Sequence, residues 1–99
     1  MNEDIKSTLS IIPHQPGCYQ FYDEEGKVIY IGKAKNLKKR VSSYFNKEHD
    51  SPKTRILVRK IAKIKYIVVK TEEDTFLLEN NLIKQYQPRY NVLLKDDKT

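Results

Sequence analysis

The chain has 99 residues, enough for one domain with a modest core, and its 19 Lys/Arg against 13 Asp/Glu give a net charge of +6. With a mean hydropathy of −0.71 and a pI of about 9.4, no apolar run approaches the roughly 20 residues that span a bilayer, and the basic balance points to a polyanionic partner. The single cysteine, Cys18, excludes an internal disulfide and a thiolate metal cluster.

That cysteine usage suits a reducing, cytoplasmic setting. No strongly basic helix with a large apolar face stands out, so nucleic acid is favoured over anionic lipid. Ile5, Leu9 and Ile12 at helical spacing predict an opening helix over residues 2–12, ended by Pro13-His14-Gln15-Pro16-Gly17. Cys18 to Tyr22 is strand-like, Asp23 to Lys27 a hairpin loop, and Val28 to Ile31 a second strand ended by Gly32. Leu37, Val41, Tyr44 and Phe45 predict a helix over 36–45, followed by a polar loop, Asn46 to Asp50. Ser51-Pro52 is a helix-start pair, with Ile56, Leu57, Ile61 and Ile64 as the buried stripe. The β-branched run Lys65 to Lys70 predicts a third strand. Thr71 caps a last helix over 73–87, stopped by Gln87-Pro88, and an apolar tail Val92-Leu93-Leu94 precedes a frayed polar end, Lys95 to Thr99. The order predicts an α+β fold: a small three-stranded antiparallel sheet with helices packed on it.

Two places concentrate chemistry. On a wheel of about 100° per residue, Phe76, Leu78, Leu82, Ile83 and Tyr86 share one broad side of the last helix, and Glu79 lies among them. A carboxylate there is either paired with one of the many cations or faces a cleft as metal ligand or acid, because an unpaired buried charge is very costly. The second place is the end of the second strand. Tyr30 stands there, Gly32 admits close approach, and Lys33, Lys35, Lys38, Lys39 and Arg40 gather near the start of the next helix. Free N–H groups at a helix N-terminus favour phosphate. Lys39 points away from the apolar stripe, whereas Lys38 and Arg40 flank it. The competing reading is a solvated basic face, but the net charge favours phosphate contact.

Tyr19 and Tyr30 sit on neighbouring strands beside this cluster. A phenol is a poor base at neutral pH unless a cation such as Lys33 lowers its pKa from about 10; the pair also fits two packed strand aromatics. Tyr66, Tyr86 and Tyr90 read as core or semi-core residues. There is no Ser/His/Asp arrangement, phosphate-binding glycine loop or paired Cys or His site.

Gly17-Cys18-Tyr19 followed by Tyr30-Ile31-Gly32 resembles the paired signature of the GIY-YIG nucleases, with Cys18 where the family name has isoleucine. Arg40, Glu79 and Asn91 complete the family pattern between Gly17 and Asn91. The stretches Tyr30 to Leu37, Leu78 to Lys84 and Pro88 to Val92 are most similar to the UvrC-type domain of bacterial nucleotide excision repair. The resemblance implies a DNA endonuclease that hydrolyses a phosphodiester on the 3′ side of a lesion, with one divalent ion, Mg²⁺ or Mn²⁺, held by Glu79. It implies that residues 1–99 are a single nuclease domain, the N-terminal fragment of a longer protein that acts on damaged duplex DNA with UvrB, and with UvrA upstream. The isolated domain is expected to be a monomer.

The same resemblance implies roles. Tyr30 is the general base, helped by Lys33; Arg40 stabilises phosphate charge; Tyr19 orients the water or a phosphate oxygen. Tyr44 hydrogen-bonds a phosphate or the leaving group, Gly32 and Asn91 support the site, and Lys35 and Lys38 contact nucleic acid. Such a site demands that Tyr19 and Tyr30 share a sheet face, so the hairpin needs an even loop or a bulge that restores parity. Two other readings fit the residues: a DNA- or partner-binding module without catalysis, and a stand-alone structure-specific nuclease.

Overall fold

Each of four helices begins at a side-chain cap. Asn2 Oδ1 accepts from Ile5 N (2.7 Å), Asn36 Oδ1 from Lys39 N (3.0 Å), Ser51 Oγ from Thr54 N (3.4 Å) and Thr71 Oγ1 from Asp74 N (3.0 Å), satisfying N–H groups that have no partner within a helix. The computed structural model describes residues 2–46 and 48–95. Its elements in chain order are α1 (Glu3–Ile11), β1 (Gly17–Tyr22), β2 (Val28–Ala34), α2 (Leu37–Asn46), α3 (Pro52–Lys60), β3 (Lys63–Val68), α4 (Glu72–Tyr86) and α5 (Arg89–Lys95). The frayed end expected beyond Lys95 lies outside the described residues.

Most boundaries fall within one or two residues of the sequence expectation, and three departures are larger. β2 runs through Gly32 to Ala34, so Lys33 belongs to a strand and not to the helix start. α3 stops at Lys60: Ala62 N donates to Tyr22 O (2.7 Å) and draws the chain into β3 two residues early. Ile61 therefore caps the helix, Ile64 lies in β3, Ile56 is exposed, and Leu57 is the one buried residue of α3. Gln87 adopts a left-handed conformation (φ 44°, ψ 59°) and closes α4 through its N–H on Ile83 O. The fully buried Pro88 then opens the unexpected α5, with Asn91 N on Pro88 O at 3.2 Å.

The sheet is antiparallel in the order β2-β1-β3. The hairpin supplies the parity the site needs. Asp23 N donates to Lys27 O (3.0 Å) and closes a turn over residues 24–26, with Gly26 at φ 83° and Asp23 Oδ1 accepting from Glu25 N and Lys27 N. An odd turn alone would send Tyr19 and Tyr30 to opposite faces. Tyr22 pairs with Val28 but Phe21 with Tyr30, so Ile29 is an inserted bulge residue. Tyr19, Phe21, Tyr30 and Gly32 thereby share a face.

That face carries the core: Tyr19, Phe21 and Ile64 from the sheet, Leu37, Val41 and Tyr44 from α2, Leu57 from α3, Ile5 from α1 and Tyr90 from α5. The other face is crossed by α4, where Cys18 Sγ donates to Thr75 O at 3.4 Å. The apolar side expected for α4 is only partly covered. Thr75 is buried, Leu78, Leu82 and Ile83 are half-buried, and Phe76 and Tyr86 are 52% and 45% exposed. A three-stranded sheet is too narrow to cover a broad apolar arc, and the small Thr75 makes the close approach. Among the described residues no helix is long and apolar enough to cross a membrane.

Candidate active site

Tyr19 is the centre of the site because glycine lies opposite it. It pairs with Gly32 across β1 and β2, and a Cβ on Gly32 would fall 2.3 Å from both Cζ and Oη of Tyr19. The ring lies flat in the space that a side chain would otherwise fill, 1% exposed. Its Oη shares a 2.9 Å hydrogen bond with Tyr44 Oη and accepts from Arg40 Nε at 3.3 Å. The Arg40 guanidinium also lies 5.4 Å from the Tyr44 ring centroid, within cation–π range. Arg40 and Tyr44 are four residues apart on α2, so both reach the same place. Tyr30 completes the cluster, with its ring centroid 6.2 Å from Tyr19 and 6.4 Å from Tyr44.

Phe21, overlooked in the sequence reading, braces all three phenols at 5.2 Å (Tyr19), 6.0 Å (Tyr30) and 5.0 Å (Tyr44). Strand alternation from Tyr19 was the signal for it. Gly17 has a different task. A Cβ there would fall 2.1 Å from Ile67 O, so this glycine lets β1 and β3 pair.

Burial dominates the electrostatics of the phenols. It holds the Tyr19 and Tyr30 protons on, well above the ordinary phenol range. For Tyr30, the neighbouring Tyr44 adds to the rise, Arg40 opposes it and Glu79 adds a smaller upward push. The expected depression by Lys33 is therefore replaced by a net rise, and the opposing cation is Arg40. The Arg40 guanidinium is stabilised first by the Tyr19 oxygen and then, against burial, by Tyr44 and Tyr30. Burial also pushes the Cys18 thiol up to about 11, with Glu79 adding to the rise and Lys33 opposing it.

The charge of Glu79 enters both accounts. Its charge acts on Tyr30 on one sheet face and on Cys18 on the other, and α4 packs chiefly against β2. Glu79 is half-buried on this helix. Among the described residues no three His, Cys, Asp or Glu side chains gather. A site built on one carboxylate suits a hard ion that keeps most of its water, as Mg²⁺ does.

A linked pH dependence follows from the raised phenols. Their stabilising effect is fully present below the unfolded phenol value, about pH 10, and is lost as pH rises through the folded values. Stability should fall by roughly 1.4 kcal/mol per pH unit per phenol above that point. Urea melts between pH 9 and 12 check this: a Tyr19→Phe/Tyr30→Phe double variant should show a flatter decline, and an unchanged slope would refute the assignment.

Asn91 ties α5 to the exposed side of β2. Its Oδ1 accepts from Ile31 N and its Nδ2 donates to Ile31 O, both at 2.8 Å. The amide acts as one more strand residue on an otherwise open edge. Asn91→Ala should cost about 1–3 kcal/mol, the penalty for stranding part-buried backbone groups. A urea midpoint equal to wild type would show that water replaces the amide without loss.

The basic cluster is dispersed. The start of α2 is closed to phosphate: Leu37 N donates to Gln15 O (2.8 Å), Lys38 N to Pro13 O (3.2 Å) and Lys39 N to Asn36 Oδ1. Lys38 Nζ donates to Leu9 O at 2.6 Å near the end of α1, so its ammonium is engaged within the protein and is not simply presented to nucleic acid. Lys35 makes a 3.5 Å pair with Glu72, both side chains largely exposed. Lys39 is exposed, as the wheel requires. Arg40 and Lys33 are the cations whose charge acts on the phenol and thiol of the site.

Comparison with known proteins places this geometry. The UvrC-like GIY-YIG domain family matches residues 15–92. UvrABC system protein C of Porphyromonas gingivalis is 67% identical over 97 residues, which are 98% of this chain and 16% of that protein. The protein of that name from Bacteroides thetaiotaomicron is 66% identical over 98 residues, 99% of this chain and 16% of the relative. The chain thus spans about one-sixth of the length of these curated relatives. Among solved structures, the GIY-YIG N-terminal endonuclease domain of UvrC from Thermotoga maritima, bound to its catalytic divalent cation magnesium, superposes with a TM-score of 0.79. It is 40% identical, and the match covers 91% of this chain and 98% of that one. An asparagine-to-alanine variant of that domain, also bound to its catalytic divalent cation, gives a TM-score of 0.80. With the paired Gly-Cys-Tyr and Tyr-Ile-Gly segments meeting at the Tyr19–Gly32 contact and the match extending through Asn91, the chain belongs to the UvrC-like GIY-YIG domain family.

Proposed function

We propose that this chain is a divalent-metal-dependent DNA endonuclease domain that makes the 3′ incision of nucleotide excision repair. On this reading it works in the cytoplasm as a single, monomeric nuclease unit at the N-terminus of a longer protein, with UvrB presenting the damaged duplex after UvrA has acted. The observation that carries the reading is the Tyr19–Tyr44–Arg40 hydrogen-bonded set beside Tyr30, a phenol on which the charge of Glu79 also acts.

Hydrolysis of a phosphodiester requires a placed water, neutralised phosphoryl charge and a stabilised leaving oxygen. Glu79 is the anionic ligand for Mg²⁺ or Mn²⁺; the bound ion supplies Lewis acidity and lowers the pKa of a coordinated water. Arg40 engages Tyr19 through Nε, and its two Nη groups carry the donors for the phosphate, a fork that lysine does not reproduce. Tyr19 and Tyr44 hold that fork and each other. Tyr30 keeps its proton in the resting site, so its first task is to orient the attacking water by hydrogen bonding. A base role requires substrate and ion to reverse the effect of burial. Lys33 adds positive charge that opposes Glu79 at the Cys18 thiol.

The reading is tested without a substrate. Crystals of the 99-residue chain soaked in Mn²⁺ should show anomalous density beside the Glu79 carboxylate, and Glu79→Gln should remove it. A wild-type crystal with no such peak would turn the reading toward a DNA-binding module that does not cut.

A further inference from the structure

We propose that Phe76, flanked by Lys33 and Lys35, is a stacking shelf for one unpaired nucleobase of the strand being cut. This rests on the nuclease reading and adds how the strand is held. Phe76 lies on α4 and is 52% exposed, while its neighbour Thr75 makes the contact with the sheet. The core therefore does not need the ring. It lines a concave space of about 320 Å³ with Lys33, Ala34, Lys35, Glu72 and Thr75. That volume is at the small end of ligand pockets and suits one planar base.

Position links the shelf to the cut. Phe76 is three residues before Glu79, so the two side chains are neighbours on one flank of α4. Lys33 follows Gly32 in β2, the glycine against which Tyr19 packs. A base resting on Phe76 would leave its own phosphate within reach of the two lysines, on the flank of α4 that also carries Glu79. The Lys35–Glu72 pair at the rim is exposed on both sides; such pairs are weak and yield to a competing phosphate. The cations around the ring, and the net charge of +6, favour a nucleotide over an apolar side chain of a protein partner. Stacking on an aromatic face is tolerant of base identity, which suits an enzyme directed by lesion and partner.

The test uses the 99-residue chain in EDTA, which prevents cutting, and a single-stranded oligonucleotide carrying 2-aminopurine. Wild type should bind and quench the 2-aminopurine emission. Phe76→Ala and Phe76→Leu should lose about fivefold to a hundredfold in affinity together with the quench, whereas Phe76→Trp should retain both. Lys33→Gln and Lys35→Gln should each reduce the dependence of affinity on salt, by roughly 0.7 in the log–log slope; the Phe76 variants should leave that slope unchanged. Binding by wild type without quenching, absence of binding, or a Phe76→Ala variant that binds and quenches like wild type would overturn the shelf. A Mn²⁺ peak at Glu79 combined with indifference to Phe76 would keep the nuclease reading and remove the shelf. Stacking without the Mn²⁺ peak would do the reverse.

Discussion

Gly32→Ala should destabilise the chain by about 1–3 kcal/mol and slow incision by roughly a hundredfold, although it adds one methyl group and removes no functional atom. The added Cβ would stand 2.3 Å from Tyr19 Cζ and Oη and 2.9 Å from Cε1. Tyr19 has nowhere to retreat: its ring is buried among Phe21, Tyr30 and Tyr44, and its hydroxyl is held by Tyr44 and Arg40. Moving it by an ångström tilts the whole set, and a displacement of that size in a positioning group is enough for a rate loss of this order. A thermal melt reads the stability part, at about 4–8 °C per kcal/mol for a domain of this size. A single-turnover incision assay of the full protein with its partners on a damaged duplex reads the rate. A variant with wild-type melting and wild-type incision would mean that Tyr19 is free to move and is not the pivot described here. Gly17→Ala makes the contrast: its clash is with the backbone at Ile67 O, so loss of β1–β3 pairing should dominate.

Arg40→Lys should lower the incision rate by about a hundredfold to a thousandfold, the range for removing one preorganised donor at developing charge, while stability changes by less than about 1 kcal/mol. The combination is informative. Arg40 is exposed overall, and Tyr19 Oη keeps Tyr44 Oη as a partner when the arginine is gone, so no buried hydroxyl is orphaned. Lysine preserves the charge but loses the Nε bond, the planar fork and the stacking over Tyr44. Urea melts beside single-turnover rates separate the two effects. An Arg40→Lys variant that cuts at the wild-type rate would show that only charge matters; a large stability loss would make Arg40 a structural residue.

Much of this molecule was legible before folding. The caps Ser51 and Thr71 and the alternation of aromatics in β1 are local properties, determined by hydrogen-bonding groups and side-chain periods within a few residues. Glu79 was conspicuous as a carboxylate in an apolar arc because charge in such a place demands a reason. Other features depend on distant partners. The bulge at Ile29 decides whether Tyr19 and Tyr30 meet, and a strand does not reveal its own register. The start of α2 looked like a phosphate site, yet carbonyls from Pro13 and Gln15 close it. α3 was expected to use Ile61 and Ile64, but the bond from Ala62 to Tyr22 claims the chain for β3.

The residues alone dictated the order of elements as far as α4, the α+β class, the basic character and the composition of the site, because these follow from propensity, spacing and charge counted along the chain. Only tertiary packing decided that burial raises Tyr30, that Arg40 rests on Tyr19 and Tyr44, that Asn91 seals β2, and that Phe76 stands in water beside two lysines. Burial and partnership are set by what the fold brings from elsewhere, and no local window of sequence contains that neighbour.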